Sequence, residues 1–237
     1  MHSIKTKARI AGAIYVSAAI IGIIRLMIIP KMLIVSSDAA ATANNIVAHE
    51  SLFRLGIFAE FVGATLFIFV TLALYQLLKD VNRELAVLMV ILGSLMVVPL
   101  FFANSVNDAG ALMFARGADF LSVFDKPQRE AMVMLFVRLH DQLIWANAFF
   151  WGLWLFPLAV LVYKSGFLPR LIGVWLAIAG CAWLALSFTK IVVPQYDWVI
   201  DKIFDPASFG EILFMFWLLI RGAKEFPAKL TAADAVH

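Results

Sequence analysis

Six stretches of this 237-residue chain, near 9–29, 53–78, 85–106, 142–163, 168–189 and 207–222, are apolar over lengths that suit a membrane crossing. A helix rises about 1.5 Å per residue, so roughly 17–25 apolar residues traverse the hydrocarbon core. Every backbone amide and carbonyl in that layer must be bonded within the protein, which leaves helices as the solution for segments of this length. The expected fold is therefore all-α: a polytopic membrane helix bundle with six transmembrane helices and short helices in the outer loops. Composition points the same way. Hydrophobic residues make up 63% and charged residues 15%, against roughly half and a quarter in soluble domains, so the bilayer must solvate much of the chain.

Basic residues set the orientation. Lys5, Lys7 and Arg9 precede the first segment, Lys79, Arg83, Lys164 and Arg170 sit in tight connections, and Arg221, Lys224 and Lys229 follow the last. The opposite connections are longer and hold most of the acids, among them Asp38, Glu50, Asp119, Asp125 and Asp197. The positive-inside bias then places both termini in the cytoplasm. The apolar stretch 10–29 exceeds the roughly 7–15 residues of a secretory leader, so it is expected to stay as the first span. One domain, 1–225, is expected, with a cytoplasmic tail at 226–237. A scattered net charge of +3 excludes nucleic acid as a partner and leaves the lipid bilayer as the necessary one. A lone cysteine, Cys181, excludes an internal disulfide and any CxxC chemistry.

The outer connections carry helix-start signals. Asp38 suits the cap of a short helix over 39–47, and Asp125 with Gln128 forms a capping box for a helix from Lys126 that runs into the fourth span. Asp205 before Pro206 predicts the start of the last helix. Trp198, Ile203 and Phe204 predict an outer interfacial segment, and Pro157 a kink in the fourth span.

The polar residues inside these segments are one-sided. Arg25, Arg54, Glu60, Asn104, Arg138, His140, Asp141 and Asn147 all fall in outer halves. Glu211 lies ten residues before Arg221, about 15 Å along a helix and near mid-membrane. Charges at such depths cost about 2.5–3.5 kcal/mol each when they face lipid, so they are expected to face one another. Arg25 and Arg54 are the natural partners of Glu60 and Glu211. The set describes a polar pocket open to the outside and closed below, suited to a small molecule or lipid, with transport or sensing as its purpose. The plainer alternative is that these groups lock helices together.

His49 and His140 beside carboxylates lack metal-ligand spacing, and no metal or cofactor is predicted. No GxSxG, P-loop or dinucleotide fingerprint occurs, so a non-enzyme is favoured. An enzyme acting on an outer-leaflet lipid through His140 and Asp141 with Glu211 or Glu60, by acid–base or metal-assisted chemistry, and a scaffold subunit, are the alternatives. Six spans are few for a transporter, which keeps a homodimer open.

Two strings are distinctive: Phe150–Pro157 running on to Tyr163–Gly173, and Gly210–Gly222. With Ala8–Gly12 and Leu52–Gly56 they resemble the bacterial membrane family called domain of unknown function 4386. The resemblance spans nearly the whole chain. It implies a small polytopic protein of the bacterial inner membrane and no particular activity. Arg54 and Glu211 fall inside the resembling strings.

Overall fold

A computed structural model describes residues 3–225, without the side chains of 201, 203 and 205, and these residues form helices joined by short turns, with no strand among them. We number them α1 (Ile4–Leu33), α2 (Ala39–Ala48), α3 (Glu50–Leu78), α4 (Arg83–Arg116), α5 (Lys126–Lys164), α6 (Arg170–Val192) and α7 (Asp197–Ile220). Five of them, α1, α3, α4, α5 and α6, are long and apolar enough to cross a membrane. The sixth expected span corresponds to a shorter apolar stretch, Pro206–Ile220, inside α7. The expected tail at 226–237 lies outside the described residues.

The local signals act much as their chemistry predicts. The Asp38 carboxylate accepts the Ala41 amide at 2.8 Å and opens α2. Asp125 and Gln128 close the capping box, and α5 runs unbroken for 39 residues. Gly117, at φ 64°, ends α4 in a left-handed conformation that a side chain would strain. The expected helix start at Asp205 is wrong. α7 begins at Asp197 and passes through Pro206. Asp197 explains it: an acid in the first turn favours the positive helix end, and its Oδ2 lies 3.1 Å from Lys190 Nζ at the end of α6.

Two π-turns interrupt the spans, Ile24–Ile28 in α1 and Ile91–Leu95 in α4. Each widens the helix by a residue and re-aims the side chains on it, and such turns recur at functional sites. Arg25 sits on the first.

Small residues let the helices approach, as membrane packing requires when lipid supplies no hydrophobic drive. Gly12 of α1 rests on the backbone of Leu218 and Leu219 in α7, Gly152 of α5 on Gly180 of α6, and Gly210 of α7 on Trp175 of α6. At one end of the bundle Arg9 donates to the Ile220 carbonyl at 3.0 Å and the Lys224 amide to the Phe167 carbonyl at 3.0 Å. The start of α1, the end of α7 and the α5–α6 connection therefore lie together.

The buried apolar side chains fall into two cores. One, toward that end, gathers Leu74, Met89, Trp154, Leu158, Leu176 and Phe214. The other gathers Ile29, Leu33, Ile46, Phe53, Leu112 and Val133. On α1, α3, α4 and α5 the chain passes from one core to the other, and each of these helices carries one buried ionisable residue between them.

Candidate functional site

Those four residues meet. Arg25 of α1 donates from Nε to Glu60 Oε2 of α3 at 3.0 Å, and its Nη2 lies 2.8 Å from the same oxygen. The same Nη2 bonds Asp108 Oδ2 of α4 and lies 3.3 Å from His140 Nδ1 of α5. His140 Nδ1 is 3.1 Å from Asp108 Oδ1. Residue exposures are 7% for Arg25, 3% for Glu60, 6% for Asp108 and 8% for His140. The open funnel expected from sequence is thus closed at this level, because the carboxylates satisfy the guanidinium instead of presenting it to the outside.

Amides tie the helices around this cluster. Asn104 donates to the His140 carbonyl at 3.2 Å, Asn107 to Asn104 Oδ1 at 3.0 Å, and Asn147 to the Val97 carbonyl at 3.5 Å. Two buried acceptors keep no hydrogen-bond partner here, Glu60 Oε1 and Asn147 Oδ1.

Other expected members lie elsewhere. Arg54 pairs with Glu50 at 2.7 Å, and its side chain is 53% exposed. Arg54 and Glu60 are six residues apart, about 120° around a helix at 3.6 residues per turn, so they do not share a face. Truncating Arg54 to alanine should leave the thermal midpoint in detergent unchanged within error, since exposed pairs contribute little. A fall of several degrees would show that Arg54 holds the fold. Arg138 is exposed and donates to the Ser36 carbonyl at 2.7 Å, tying α5 to the α1–α2 connection. Asp141 is half-buried next to His140 and outside the four-residue set. His49 is exposed at the α2–α3 junction.

Glu211 pairs with neither Arg25, Arg54 nor Glu60. The Tyr15 hydroxyl donates to its Oε1, and Trp183 Nε1 donates to its Oε2 at 3.4 Å. Tyr15 and Arg25 are ten residues apart on α1, about 15 Å, so one guanidinium cannot serve both levels. Asp108, Tyr15 and Trp183 were not among the predicted site residues. Asp108 had a signal: it follows Asn104 by four residues and shares its helix face. Tyr15 and Trp183 had none beyond being aromatic in an apolar segment.

Glu60, Asp108 and His140 each offer one ligand atom, all within 4.8 Å of one another. A divalent cation favours such donors. The Arg25 guanidinium reaches all three, however, and supplies the positive charge itself. The donor set therefore fits a metal only with Arg25 displaced.

Residues 10–222 match the family described as Domain of unknown function (DUF4386). That range holds all four clustered residues and Glu211. The chain is also similar to a protein of the archaeon Archaeoglobus fulgidus named "Uncharacterized protein", 36% identical over 80 residues, or 32% of this chain and 43% of the relative. The chain thus matches less than half of that relative's length. No solved structure matches the chain. With most of its length matched, the chain is a membrane protein that belongs to the DUF4386 family.

Proposed function

We propose that the protein is a six-span carrier or sensor of the inner membrane, with both termini cytoplasmic, whose Arg25 cluster takes up one positive charge from the outer side. The observation that carries this reading is charge imbalance. Arg25 contributes +1, while Glu60 and Asp108 contribute −2. With neutral His140 the buried set stands at −1, and an unbalanced charge is costly away from water. One proton on the cluster, or one small cationic ligand, closes the balance. His140 Nδ1 already faces Asp108 Oδ1, and Glu60 Oε1 has an acceptor position to spare. The arginines do not favour an anionic ligand, since Arg25 is taken by carboxylates and Arg54 and Arg138 are exposed. The meeting of the α1 start with the α7 end supports a sixth crossing and termini on one side.

Glu60→Gln tests the reading, because Arg25 and Asp108 then balance without help. The titratable groups of the cluster are Arg25 on α1, Glu60 on α3, Asp108 on α4 and His140 on α5, and half-buried Asp141 lies next to His140 outside that set. Proton uptake on acidification, followed with a pH dye in weakly buffered nanodiscs, should fall by about one per chain in this variant. Equal uptake by both proteins, at equal helicity, would leave the cluster as a helix lock.

A further inference from the structure

We propose that Glu211 and the aromatic side chains around it form a second site, which binds a lipophilic organic cation from within the membrane. The site stands apart from the Arg25 cluster, and the reading of that cluster can fail without touching it.

Glu211 lies in the apolar half of α7, between Gly210 and Phe214, which are both buried against neighbouring helices. Its two hydrogen-bond donors, the Tyr15 hydroxyl and the Trp183 indole, are uncharged. Among the described residues no lysine, arginine or histidine pairs with it. The Glu211 carboxyl therefore has no cationic side chain to match it, unlike Glu60 and Asp108, which share Arg25.

Its surroundings are rings. The Trp183 ring packs edge-on against Phe204, centroids 4.6 Å apart, and against Trp151 at 5.1 Å. Tyr15 leans on Trp154 at 6.0 Å. Aromatic faces carry negative potential and attract cations, most strongly when water is excluded. A carboxylate between a tyrosine and a tryptophan thus presents charge and π-faces to one ligand.

Access comes from the side. Glu211 and Trp183 are only partly buried, and Phe209 and Ile212 beside Glu211 on α7 are 50% and 40% exposed. A ligand arriving here crosses hydrocarbon. A small hydrated ion would have to shed its water first, whereas a delocalised or quaternary cation with apolar substituents partitions readily.

Tetraphenylphosphonium is the probe, added to the full chain in nanodiscs and followed by equilibrium dialysis and tryptophan quenching. Saturable binding of one per chain is expected. Glu211→Gln should weaken it by about 30-fold or more, the scale for losing one member of a desolvated charge pair. Glu211→Asp should retain saturable binding, and Glu60→Gln should bind like the unaltered chain. A hydrophobic carbodiimide, whose C=N bond takes up the carboxyl O–H to give an O-acylisourea that rearranges to a stable N-acylurea, should label Glu211 in the unaltered chain, and tetraphenylphosphonium should protect it. This arm needs no variant to fold. The proposal is overturned by absent saturable binding, by Glu211→Gln binding as well as the unaltered chain, by equal loss in Glu60→Gln, or by labelling that the cation does not slow.

Discussion

Replacing Arg25 with methionine should destabilise the bundle by about 3–5 kcal/mol, the scale for removing one partner from a buried ion pair. Methionine keeps the apolar stem but strands Glu60 and Asp108 side by side at exposures of 3% and 6%. Two carboxylates then stand close together, with His140 beside Asp108 as the remaining basic group of the cluster. The triple variant Arg25→Met, Glu60→Gln, Asp108→Asn should recover most of the loss, because no uncompensated charge remains. Reversible unfolding in mixed micelles, read by tryptophan fluorescence, measures both. A single variant within about 1 kcal/mol of the unaltered chain, below that range, would mean the cluster contributes little to the fold.

The second large effect is expected at Gly12. A Cβ there would sit 2.3 Å from the Leu219 amide nitrogen, 2.7 Å from the Leu218 carbonyl carbon and 2.8 Å from Leu219 Cα. All three are backbone atoms, so no rotamer relieves the clash and α1 must part from α7. Gly12→Ala should cost about 1–3 kcal/mol, and Gly12→Val more. Parting the helices also pulls Tyr15 from Glu211 and Arg9 from the Ile220 carbonyl. Gly22 is the control: a Cβ there meets nothing within 4 Å, and Gly22→Ala should be neutral or slightly stabilising. If Gly12→Ala unfolds like Gly22→Ala, the close approach of α1 to α7 contributes nothing to stability.

The all-α character and five of the six expected spans were legible in the sequence because hydrophobic length and cap chemistry are local quantities. Asp38 and Asp125 marked helix starts that the structure reproduces, and Arg25 with Glu60 could be paired by depth alone. What could not be read depends on rotation about the helix axis. Arg54 and Glu60 both fall in the first half of α3 yet lie about 9 Å apart along it and on different faces, so grouping by half-span joined residues that geometry separates. The π-turn under Arg25 adds to this, since it shifts the facing of α1 without any proline or glycine inside Ile24–Ile28 to announce it. Glu211 was legible as an anomaly, but its partners were not. Tyr15 and Trp183 read as ordinary packing residues until three helices bring them to one carboxylate. Asp205 misled because a good cap followed by proline is also what a helix interior can tolerate when an earlier acid, Asp197, has already started it.

The unbroken length of α5 has a mechanical consequence. At 39 residues it is about 58 Å long, nearly twice the roughly 30 Å hydrocarbon core. His140 stands fourteen residues from the Lys126 end, about 21 Å along the axis. Any tilt of α5 about His140 would be magnified along the stretch from Lys126 to His140. A tilt of about 10° there would swing the Lys126 end by about 4 Å, given the rise of a helix. A shift in the packing of the four clustered side chains would therefore move the Lys126 end of α5 most.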